Sequence, residues 1–88
     1  MSIRKTLGKN ICALREAHSM SQDQLAKAVN SSLPTISRYE TGHIQRPDSE
    51  LLQTIAEFFK VEVSDLYDQH LVVTRQYQVE ITRQVVNG

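Results

Sequence analysis

Apolar residues recur at helical spacing through most of this chain and at alternate positions near its end. Ile3, Leu7, Ile11 and Leu14 stand four, four and three apart, one stripe of a helix from about Ser2 to Ala17. Ser21 is a good N-cap for a second helix, and Gln24 stands three residues on, as a capping box requires. Leu25, Ala26 and Val29 form its inner face. Asn30, which tolerates the left-handed backbone that ends a helix abruptly, follows. Ser31 and Ser32 complete a short turn, with Ser32 capping a third helix that turns Ile36 and Tyr39 inward and stops at Thr41-Gly42. After the loop "HIQRP", Asp48 caps a fourth helix whose Leu51, Leu52, Ile55, Ala56 and Phe59 make a wide apolar face. A short fifth helix, Val63 to Tyr67, closes the core with Val63, Leu66 and Tyr67. Five short helices with tight connections predict an all-α domain over residues 1–69.

The period then changes. From Val73 to Val85 the even positions are all polar, and five of the seven odd ones (Val73, Tyr77, Val79, Ile81, Val85) are apolar. Period two with β-branched content predicts a C-terminal β-strand extension within residues 70–88. No Gly, Pro, Asn or Asp interrupts it to make a hairpin, and an unpaired strand is an aggregation hazard. At about 3.3 Å per residue it would run roughly 40 Å, long enough to pair antiparallel with the same segment of a second chain across a dimer axis. The alternatives are a strand folding back on its own domain and a chain end without fixed structure.

Eighty-eight residues suffice for one modest core. No apolar run has the length of a membrane span, and nothing at Met1 looks like a signal peptide, so the expected location is the cytoplasm. Cys12 is the sole cysteine and lies among the apolar positions of helix one, which favours a buried structural thiol over a reactive one. Net charge is zero but unevenly spread: residues 1–47 hold seven Lys/Arg against three acids, and residues 48–88 hold three against seven. Such polarity can present a positive face to phosphates, although chance scatter of solvated charge gives the same tally.

Two helices joined by so short a turn must cross steeply, which suits a small residue such as Ala26 at their contact. Their packing leaves Leu33, Thr35, Ser37 and Arg38 on the outer face of helix three, the shape that enters a major groove. Residues 15–67 resemble the helix-turn-helix family of Cro and lambda-type phage repressors. The resemblance rests on Ser21-Gln22, Leu25-Ala26, Val29, Ile36-Ser37-Arg38-Tyr39-Glu40, Gly42, Pro47, Leu51, Ile55-Ala56 and the closing "VEVSDLY". It implies a lambda-repressor-like fold and a dimeric transcriptional regulator, of phage, prophage or plasmid type, on a near-palindromic double-stranded operator.

The resemblance also implies roles. Gln22 matches a glutamine that clamps a phosphate, and Leu33, Pro34, Thr35, Ser37 and Arg38 match positions that meet base edges or nearby phosphates. A guanidinium can take guanine O6 and N7 together, so Arg38 is a candidate for base readout, with a phosphate grip as the alternative. His43, Gln45 and Arg46 match a loop that contacts the DNA backbone. Lys27 adds to the positive face or is merely solvated. Glu40, acidic on the DNA side, matches a carboxylate that bonds an arginine near the end of helix one, here Arg15, and turns it toward phosphate.

There are departures from the pattern. Leu33 and Pro34 stand where glutamine or serine is frequent. Leucine cannot hydrogen-bond a base but can pack on a thymine methyl. Pro34 in a first turn forgoes no intrahelical bond, although it disfavours helical geometry at Leu33 and would start the helix a residue late. Lys60 stands where glycine often ends helix four, at a cost of about 1 kcal/mol if left-handed. No paired carboxylates, Cys–His set or glycine-rich phosphate loop suggests an enzyme, a metal or a cofactor, and His18, His43 and His70 are scattered. Repression by promoter occlusion is the simplest expectation. The competing one is an antitoxin-like regulator whose tail binds a partner protein while its DNA binding is autoregulatory.

Overall fold

The computed structural model describes residues 2–73, and these hold five α-helices and no strand. They are α1 (Ile3–Ala17), α2 (Gln22–Ala28), α3 (Leu33–Thr41), α4 (Ser49–Phe59) and α5 (Val63–Leu66). The expected caps form at Ser21, Ser32 and Asp48, and Ser2 caps α1 as well. Ser2 accepts from Arg4 N–H, and Ser21 and Gln24 make the reciprocal capping box at 3.0 and 2.8 Å. Asp48 Oδ1 accepts from Glu50 N–H at 2.9 Å. Four of the helix ends use one device, a left-handed residue followed by an amide bonding back five positions. Ser19, Asn30, Gly42 and Lys60 hold the left-handed positions, with φ of 55°, 57°, 79° and 59°. The returning bonds run from Met20, Ser31, His43 and Val61 to the carbonyls of Arg15, Ala26, Arg38 and Ala56.

The core is built from the predicted faces: Leu7, Ile11 and Leu14 of α1, Leu25, Ala26 and Val29, Ile36 and Tyr39, and Leu52, Ile55, Ala56 and Phe59 of α4, with Leu66. Two predicted core residues are outside it. Ile3, the first residue of α1, is 68% exposed, and Tyr67, at the C-cap of α5, is 37% exposed. Helix α3 also starts at Leu33 rather than a residue later. The Ser32 hydroxyl, which accepts from Thr35 N–H, secures the turn against the proline's bias.

The expected strand has no counterpart among the described residues. Residues 71–73 are irregular, and Leu71 and Val73 pack against the core. Val73, assigned above to a dimer contact, therefore buries apolar surface within its own domain. The other four positions named for that contact, Tyr77, Val79, Ile81 and Val85, lie outside the described residues. Asn10, buried in α1, holds the end of α5 by donating its amide to the carbonyls of Leu66 and Asp68 at 3.0 and 2.8 Å.

Two features lock α1 to α3, the helix that carries the outer face. Gly8 lies where the backbones nearly touch: a Cβ there would stand 2.6 Å from the carbonyl oxygen of Glu40 and closer still to that of Tyr39. Seven residues on, Arg15 meets Glu40 edge to edge, Nε to Oε2 at 2.6 Å and Nη2 to Oε1 at 3.0 Å. Their side chains are 13% and 4% exposed. Arg15 Nη1 donates to the carbonyl of Met20 at 2.7 Å, so the same guanidinium ties down the α1–α2 turn. Hydrogen bonding to Glu40 raises the Arg15 pKa above its ordinary value, with burial opposing it.

Gly8→Ala should lower thermal stability although alanine is the better helix former. Overpacking against immovable backbone costs about 1–3 kcal/mol, against about 1 kcal/mol gained in propensity. A melting temperature that rises would show that the helices can part freely. Glu40→Ala, which strands a buried guanidinium, should cost about 3 kcal/mol, on the order of 15 °C in Tm, with Arg15→Ala comparable. Thermal melts within a few degrees of the parent would place the pair among ordinary surface contacts.

Candidate nucleic-acid interface

Gln22 opens α2, and Leu33 and Pro34 open α3. At the head of α3 the Ser32 hydroxyl accepts from Thr35 N–H at 3.3 Å and donates to Thr35 Oγ1 at 2.9 Å. With Ile36 and Tyr39 buried, residues spaced by four line the opposite side: Leu33 with Ser37, and Pro34 with Arg38. Leu33, Pro34 and Arg38 are exposed, whereas Thr35 and Ser37 are half-buried. Among the described residues the Arg38 guanidinium carries no hydrogen bond or ion pair, so its planar set of donors is available to a ligand.

Gln22, the first residue of α2, donates one side-chain N–H to Glu40 Oε1 at 3.0 Å. Its second amide hydrogen is left over for an acceptor such as a phosphate oxygen. The structure thus joins Arg15, Gln22 and Glu40 in one network. Arg15 is mostly committed inside it, with Nε, Nη1 and Nη2 all donating to protein groups, Cys12 Sγ among them at 3.5 Å. Burial, with the nearby Glu40 carboxylate, pushes the Cys12 thiol pKa up, which disfavours the nucleophilic thiolate.

The loop after α3 is pinned at both ends. His43 N–H bonds the Arg38 carbonyl at 2.9 Å, and the Tyr39 hydroxyl accepts from Asp48 N–H at 2.7 Å. Burial raises the Tyr39 pKa, so the phenol stays protonated. Between these anchors His43, Gln45 and Arg46 are exposed, and the His43 ring bonds Thr41 Oγ1 at 2.8 Å. Arg46 also lines an open cleft between α2, α3 and α4, together with Asp48 and Glu50. Lys27 lies apart on the outside of α2 in an exposed pair with Asp23 at 3.2 Å, a contact that contributes little.

Sequence reasoning did not single out Lys5. The Lys5 stem lies along Gly42, which sets a further cation beside the 42–47 loop. Its exposed position on the polar side of α1 was the available signal.

Comparison with known proteins agrees with this geometry. Residues 13–66 match the family model HTH_3, described as helix-turn-helix. Antitoxin PezA of Streptococcus pneumoniae serotype 4 is 30% identical over 79 residues, covering 90% of this chain. The chain spans about half of that relative, 49% of its length. Two crystal structures of the clp gene regulator ClgR from Corynebacterium glutamicum superpose with TM-scores of 0.67 and 0.65, each at 26% identity over 75% of this chain. The matches cover 69% and 84% of those two chains. Since the matched region runs from the end of α1 through α5, with the α2–turn–α3 unit inside it, the chain belongs to the helix-turn-helix family of DNA-binding regulators.

Proposed function

We propose that this chain is a sequence-specific regulator of transcription, not an enzyme, that inserts α3 into the major groove of a near-palindromic operator as a homodimer and represses by occluding a promoter. The observation that carries the reading is the outer face of α3: an exposed Arg38, unpaired among the described residues, beside small or apolar neighbours on a helix locked from behind by the Arg15–Glu40 pair. In this docking mode Arg38 reads a base edge, while Gln22 and the His43, Gln45 and Arg46 loop meet phosphates on either side. Arg15 acts from inside, holding Glu40 so that Glu40 aims the Gln22 amide. Two copies on one face of the duplex require half-sites about one helical turn apart. The apolar positions beyond Val73 in the sequence (Tyr77, Val79, Ile81, Val85) supply the dimer contact.

A second reading has its own support. The 30% identity to Antitoxin PezA across most of this chain favours an antitoxin-like regulator that also binds a partner protein. A toxin gene beside its own would mark that role, whereas a divergent regulatory gene would mark the phage type.

Selection of bound duplexes from a random library should enrich two inverted half-sites, and Arg38→Ala should relax preference at one position per half-site by about 1–3 kcal/mol. Weak binding with no enriched motif and a steep salt dependence would reduce the DNA role to non-specific charge. Ending the chain after Val73, so that Leu71 and Val73 stay on the core, should give a folded monomer in sedimentation. A truncated chain that still sediments as a dimer would move the contact to the helical domain.

A further inference from the structure

The first turn of α3 is unusually poor in polar groups for a surface that meets base edges. Pro34 has no N–H, and Thr35 N–H is taken by the Ser32 hydroxyl. That hydroxyl donates in turn to Thr35 Oγ1, so the cap is closed on itself. What projects instead is the Leu33 side chain, 43% exposed, beside the exposed ring of Pro34. Few large apolar residues among those described are so exposed; Leu33 shares the outer face with Ser37, and Pro34 stands one turn before Arg38.

An apolar tip cannot face most of the major groove without loss. Against guanine O6 and N7, or the cytosine amino group, it would strip water from donors and acceptors and offer nothing in return. The C5-methyl of thymine is the apolar group on that edge. We propose that Leu33, buttressed by Pro34, is a specificity-determining residue that reads a 5-methylpyrimidine in each half-site, next to the position read by Arg38. This rests on the assignment of α3 as the recognition helix and adds the chemistry of one base within its target.

The experiment uses the full chain and the duplex obtained by selection. Each thymine is replaced in turn by deoxyuridine, which removes only the methyl, and Kd is measured by fluorescence anisotropy at fixed salt. One thymine per half-site should show a Kd raised about threefold to tenfold, as expected for exposing one methyl-sized group. At that position a 5-methylcytosine·guanine pair should bind tighter than cytosine·guanine by a similar factor. In Leu33→Ala, whose melting temperature should match the parent because the side chain is exposed, the uracil effect should shrink to less than about twofold. A uracil effect that persists in Leu33→Ala, or specific binding in which no thymine methyl matters, would overturn the assignment while leaving α3 as the recognition helix. A library that yields no preferred duplex would remove both.

Discussion

The bidentate contact between Arg15 and Glu40 is the constraint on which the rest of this domain hangs. It joins two helices through residues twenty-five apart in sequence, and the guanidinium also reaches the turn that separates α1 from α2. An ion pair this enclosed is poor evidence for stability, since desolvation offsets much of the attraction. Its value here is positional. The pair also holds two groups that must be placed, the Met20 carbonyl and the Gln22 amide. The contact at Gly8 works in the same direction, because two helices that approach to backbone distance have one way to lie against each other.

The helix ends show how so small a chain achieves tight connections. Four left-handed residues each turn the backbone within a step or two, and three of them are not glycine. A side chain in that conformation costs roughly 1–2 kcal/mol. The compensation is visible in the bonds that return from Met20, Ser31 and Val61 to the preceding helix, and in the burial that each turn permits.

Much of this was legible in the sequence, for a physical reason. Helix faces and caps are local, so the spacing of Leu7, Ile11 and Leu14, the Ser21–Gln24 box and the Asp48 cap could be read directly. The Arg15–Glu40 pair is not local and was reached through the family resemblance. What escaped were contacts between distant segments: the Tyr39 hydroxyl on Asp48, the Asn10 amide on the end of α5 and the close approach at Gly8. Gly8 did leave a trace, since glycine within a helix is costly and hints at a close neighbour. Val73 misled because alternation says that one side of a segment is apolar, not which surface covers it. Of the candidate site, the exposed face of α3 followed from periodicity, whereas the bonds from the Gln22 amide to Glu40 and from Arg15 to the Met20 carbonyl left no local signal.

The Tyr39–Asp48 bond has a mechanical meaning. It fastens the start of α4 to a ring that grows from the buried side of α3, and the His43 amide fastens the other end of the same loop to α3. Helix, loop and following cap therefore form a single rigid jaw instead of a finger with a movable flap. In the docking mode proposed above, a mismatch between its bite and the width of a groove would fall to the duplex, so sequences that deform easily at the loop's footprint would be favoured without any base being touched there.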